Sequence, residues 1–125
     1  LVGSEMCIRD RLNAKDTLKV LWDPGNNCWC HELAFPDGYE EVRDGYLGHI
    51  HIKDVFVDTP KATLTVKEMG QGQLGPLFED MAAALRKDQY KGVISFESVY
   101  HPGNGNFEDG FRKCIDKFKS LFGVD

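Results

Sequence analysis

Three short apolar segments, LKVLWDPGN (18–26), GHIHIKD (48–54) and GVISFES (92–98), each carry a metal-ligand type of residue near the C-terminal end: Asp23, His51 and Glu97. Each should be followed by a loop and then an amphipathic helix. These observations predict an α/β fold of repeated βα units, the arrangement that places sites at the strand ends of (β/α)₈ barrels. A whole barrel takes about 250 residues, and the chain has 125. The expectation is therefore the second half of a barrel.

The first strand is expected over Leu18–Asp23, with Val20 and Trp22 on one face and Leu21 and Asp23 on the other. Pro24-Gly25-Asn26-Asn27 then breaks it. Asp37-x-x-Glu40 reads as a capping box opening a short helix, with Tyr39, Val42 and Tyr46 at helical spacing. The second strand is expected over Gly48–Val55. Ile50 and Ile52 face outward; His49, His51 and Lys53 share the other face, which suits a barrel mouth better than a dry core.

Residues 56–73 read as a long loop of the kind that serves as a lid or binding loop, with room for a small hairpin at ATLTVKEM (62–69). Gly70-Gln71-Gly72 allows a tight turn and is a weak phosphate-loop signal without a Walker lysine. The next helix is predicted over Gly75–Lys87, Pro76 in its first turn, burying Leu77, Phe78, Met81, Ala82 and Leu85. In the third strand Ile94 and Phe96 face outward, and Val93, Ser95 and Glu97 inward. The last helix runs from Phe107 to Phe122, with Phe107, Phe111, Cys114, Ile115, Phe118, Leu121 and Phe122 recurring at three and four; Gly123 is its stop.

Leu1–Leu12, LVGSEMCIRDRL, has no clear period and resembles read-through of a sequencing adaptor, or a frayed last helical turn. Residues 1–12 are expected to be a non-native leader, and 13–125 the partial barrel. The composition, 42% hydrophobic and 28% charged, is ordinary for a globular chain. A net charge of −5 with no cluster of Lys or Arg gives no nucleic-acid footprint. No stretch approaches the roughly 20 apolar residues of a membrane span. Four cysteines without C-x₂-C spacing read as reduced thiols, and a cytoplasmic location is expected.

DPGN with Asp23 and Asn26, HIHIKD (49–54), the following G-x-G and YKGVISFES (90–98) resemble the sugar phosphate isomerase/epimerase superfamily. These are xylose isomerase-like TIM barrels, a group that also includes AP endonuclease family 2. The resemblance covers residues 14–123 and matches the last three βα units, strands six to eight. It implies one divalent metal, Mn²⁺ or Mg²⁺ first and Co²⁺ or Zn²⁺ second, held by a Glu on strand five, an Asp on six, a His on seven and a Glu on eight. Asp23, His51 and Glu97 match the last three, and the first would lie upstream. Asn26 matches a substrate-contacting position often filled by His. Where several ketose epimerases carry an Arg six residues after the metal His, this chain has Val57.

Two carboxylates and an imidazole suit such cations rather than a thiolate metal. The implied reaction is isomerisation or epimerisation of a sugar or sugar phosphate by α-proton transfer through an enediolate, with Glu97 moving the proton. The substrate is then a small sugar or polyol, with neither nucleic acid nor membrane as partner, and the full-length enzyme could form a homo-oligomer. The fragment alone is expected to be inactive. Asp23 could instead cap a turn. His49 reads as a hydrogen-bonding neighbour of the ligands or a substrate contact, and Lys53 as a substrate contact or a partner for Asp54. His31 and His101 read as solvated loop residues; Trp29 and Phe35 could line the mouth or simply be exposed. The competing readings are a DNA-repair endonuclease of the same barrel type, which needs more His ligands and a basic groove, and a non-catalytic ligand-binding barrel.

Overall fold

A computed structural model describes residues 11–14, 16–97 and 99–123. Nearly all of the expected leader therefore lies outside the described residues. Strand β1 (Val20–Trp22) is shorter than the sequence suggests because Asp23 leaves the strand to cap helix α1 (Pro24–Trp29), accepting from the Asn26 N–H. Pro24 fits the first turn, where its missing N–H is no loss.

Beyond α1, Ala34–Gly38 forms a wide helical turn interrupted at Phe35, whose backbone is extended. The capping box expected at Asp37 does not form. Leu33 stands at the start of the turn without a side-chain cap, and Glu40 turns to Arg43 instead. The helical spacing still holds, since Tyr39 and Val42 are buried.

The single strand expected over Gly48–Val55 is two strands. Strand β2 (Leu47–Ile52) pairs in parallel with β1 and with β5 (Val93–Phe96), giving the order β1-β2-β5. Strand β3 (Asp54–Asp58) pairs antiparallel with β4 (Thr63–Lys67). Most of the expected loop over 56–73 is thus a hairpin, its turn made by Thr59–Lys61 and by Ala62 in the left-handed region. Lys53 is the joint between the two sheets.

Gly75–Leu77 is a tighter helical turn leading into α2 (Phe78–Lys87), and α3 spans Phe107–Phe122. Asn106 and Asp109 exchange capping hydrogen bonds at its start, and Gly123 (φ +66°) closes it in the left-handed region where a Cβ is penalised.

The core lies between the parallel sheet and these helices. Trp22, Ile50 and Ile52 point into it from the strands and meet Val42, Phe78, Met81 and Cys114. Each large side chain buried this way contributes about 1.5–3 kcal/mol. Phe96 joins the core edge through its ring contacts with Phe111 and Phe118. The other sheet face is open: Leu21 is 45% and Val93 59% exposed. Strand alternation therefore sends apolar residues to the helices and the polar set to one shared face.

Candidate metal centre

His51, Lys53 and Glu97 reach one place because β2 and β5 run in parallel with His51 beside Ser95 and Ile52 beside Phe96. The Glu97 N–H extends this ladder by donating to the Ile52 carbonyl at 2.9 Å. Asp23 arrives one residue beyond the end of β1. One donor atom from each of Asp23, His51 and Glu97 lies within 4.8 Å of the others. His51 Nδ1 is 3.9 Å from Glu97 Oε2.

Lys53 stands among them. Its ammonium donates to Asp23 Oδ2 and to Glu97 Oε2, each at 2.5 Å. Asp23 Oδ1 accepts the Asn26 N–H at 3.0 Å, so both oxygens of this carboxylate are engaged. Asp23 is therefore a helix cap and a member of the cluster at once. Burial alone would lower the Lys53 pKa, but the hydrogen bonds and charges of Asp23 and Glu97 outweigh it, and the net direction is upward. The ammonium stays charged.

The remaining sequence candidates divide. His49 Nε2 lies 2.7 Å from Ser95 Oγ, and its ring meets that of His51 edge-on, 5.0 Å between centroids. It sits on the shared face, next to the cluster. Asn26 contributes its backbone to the Asp23 cap, and its side chain is exposed. The neighbouring Asn27 is the buried one: it accepts from Trp22 Nε1 at 2.9 Å and donates to Glu32 at 2.6 Å.

The residues match a family as well as a geometry. A family model described as xylose isomerase-like TIM barrel matches residues 6–121. The chain belongs to that family. No curated protein gives a significant match. This family includes sugar isomerases and epimerases as well as AP endonucleases, and often uses divalent metals. The mixed α/β architecture with its parallel sheet agrees with part of such a barrel. Among the described residues no helix is long and apolar enough to cross a membrane.

Within this xylose isomerase-like frame, sequence reasoning mistook Asp54. It does not pair with Lys53, because neighbours in an extended chain point to opposite sides. The Asp54 side chain instead accepts four backbone N–H groups, from Val55 and Leu74 on Oδ1 and from Gly70 and Gly72 on Oδ2, at 2.8–3.1 Å. The Gly70-Gln71-Gly72 turn thus has two of its amides committed to an internal carboxylate rather than offered to a phosphate. Gly70 has φ +91°, and a Cβ on Gly72 would collide with Asp54. The spacing of an Asp and a G-x-G sixteen residues later was the available signal.

Proposed function

We propose that the chain is the C-terminal portion, strands six to eight, of a divalent-metal-dependent sugar or sugar phosphate isomerase or epimerase. The observation that carries this reading is the convergence of Asp23, His51 and Glu97 within 4.8 Å on the open face of a parallel sheet. Bonds of about 2.0–2.2 Å allow opposite donors a little over 4 Å apart, so a small contraction would close the set. Its oxygen and imidazole donors fit Mn²⁺ or Mg²⁺ first, with Co²⁺ or Zn²⁺ also compatible. A fourth carboxylate, a Glu from the preceding strand, would complete it. The exposed Leu21 and Val93 on the same face support further strands closing the sheet.

When bound, the metal would polarise a substrate carbonyl and its neighbouring hydroxyl. Glu97, about one-third exposed, reaches solvent from the cluster and is the group that removes or returns the substrate α-proton on one face of an enediolate, while the Glu of the preceding strand would serve the opposite face in an epimerisation. His49 and Lys53 supply hydrogen bonds on the same face, and the exposed Asn26 is assigned a further substrate contact. A small sugar or polyol suits this polar floor. The charge of −5 favours it over a DNA backbone.

The test is exchange of the substrate α-proton with solvent deuterium, catalysed by the full-length protein with Mn²⁺ across a panel of keto sugars and their phosphates. Exchange should appear with metal and vanish with chelator. Exchange that survives complete removal of metal would overturn the reading.

A further inference from the structure

The Lys53 ammonium touches one oxygen of each carboxylate in the cluster. It lies 2.5 Å from Asp23 Oδ2 and from Glu97 Oε2, and the latter oxygen also faces His51 Nδ1 at 3.9 Å. A divalent ion bonded to these two oxygens at about 2.0–2.2 Å would lie in contact with the nitrogen. Two positive centres cannot share so small a space. Asp23 Oδ1 already accepts the N–H of Asn26 at the start of α1, so using it for a cation would add a second load to an oxygen that caps the helix.

The lysine is built into this position. Its side chain is only 8% exposed. A Cβ at Gly25 would stand 2.9 Å from Lys53 Cε and 3.0 Å from Cγ, so the glycine of the DPGN turn leaves the slot through which the aliphatic stem passes. The ammonium at the end of that stem balances two carboxylates that would otherwise be crowded together with like charge.

Resting on the metal reading above, we propose that Lys53 is an internal counter-ion that a divalent cation must displace, so that loading the centre is an exchange of charges rather than an addition. The binding energy of the metal is reduced by breaking two charge-assisted hydrogen bonds. The displaced ammonium is released to the open face, where it can meet a substrate oxygen. Metal and lysine would then never hold the same two carboxylate oxygens at once.

The experiment titrates Mn²⁺ calorimetrically into the full-length protein and into its Lys53→Met and Lys53→Gln variants. It also follows reductive methylation of Lys53 in the unaltered protein by peptide mass spectrometry, with and without saturating Mn²⁺. Removing the competing charge should tighten Mn²⁺ binding by about tenfold or more. In the unaltered protein, Lys53 should resist methylation without metal and react several-fold faster with it; this arm needs no variant to fold. Equal or weaker Mn²⁺ binding by the variants, or Lys53 that stays protected when Mn²⁺ is bound, would overturn the exchange while leaving the metal centre standing. No Mn²⁺ binding by any form would overturn the metal reading, and this inference with it.

Discussion

Lys53 and Asp54 are neighbours in sequence, yet they belong to two carboxylate environments that differ in kind. On one side of the chain, a single lysine ammonium holds Glu97 Oε2 and Asp23 Oδ2, while Asp23 Oδ1 accepts the Asn26 N–H. On the other, Asp54 is held by four backbone amides at the junction of β3 with the Gly70–Leu74 turn. A side-chain partner can be exchanged by rotating a few bonds. Backbone partners can be exchanged only by unfolding the turn that carries them. The difference separates the proposed cation centre from an anchor that fixes the loop beside it, and substitutions should fall on the two sides differently.

The largest effect is expected on the exchangeable side. Glu97→Gln keeps the size and the hydrogen-bonding capacity of a one-third-exposed side chain, but removes its charge and its basicity. On the proposed role of Glu97 as the base, turnover by the full-length protein should fall by about 10²–10⁴-fold, the usual contribution of a positioned base. The urea midpoint should barely move. A large loss of stability with turnover intact would place Glu97 with Asp54, as a structural carboxylate.

The converse is expected of Asp54→Ala. It strands four amide donors, of which those at Val55 and Leu74 belong to buried residues. Leaving buried donors unpaired should cost on the order of 3 kcal/mol. Denaturant unfolding reads this directly, and faster hydrogen exchange at Gly70, Gly72 and Leu74 would locate it. Mn²⁺ affinity, compared where both forms remain folded, should change much less than stability. An Asp54→Ala protein as stable as its parent would show that the amides find water or other partners, and the contrast drawn here would fail.

This asymmetry also explains what could be read from the sequence. Alternation in HIHIKD put Ile50 and Ile52 on the helix side and His49, His51 and Lys53 opposite, and the structure keeps that division. The span and stop of α3 were legible for the same reason: a strict period ending in glycine is a local signal. Lys53 bridging Asp23 and Glu97 was not legible, because those partners lie 30 and 44 residues away and meet only when the strands pair. The hairpin was half-legible. A small hairpin was expected within 62–69, but Thr63–Lys67 pairs with Asp54–Asp58, whose first two residues read as the end of the preceding strand and the rest as loop, since nothing local marks Lys53 as the point where one sheet ends and another begins. Asp37-x-x-Glu40 misled because Arg43, three residues after Glu40, competes for the same carboxylate.

The smallest effect sharpens the comparison with an intermediate case. Asp88 is held by side chains, accepting from the Tyr39 hydroxyl at 2.8 Å with the Arg43 guanidinium 3.3 Å away. Tyr39 is buried, and that burial, followed by its hydrogen bond to Asp88 and the negative charge there, raises its pKa well above the ordinary phenol value of 10.0. The folded protein therefore keeps a proton that the unfolded chain releases near pH 10. Its contribution to stability is fully present below that pH and declines as pH rises toward the higher folded value. Tyr39→Phe should cost about 1 kcal/mol at neutral pH, since one hydrogen bond is lost and Asp88 keeps Arg43. Above about pH 10 the variant should lose stability less steeply than its parent, because Phe has no proton to release. Some slope should remain from Tyr90, whose pKa burial also raises. Urea midpoints collected from about pH 8 to about pH 11 would decide it: parallel curves for the two proteins would mean that the Tyr39–Asp88 bond is not maintained in solution, and that a side-chain-held carboxylate is looser than this intermediate case requires.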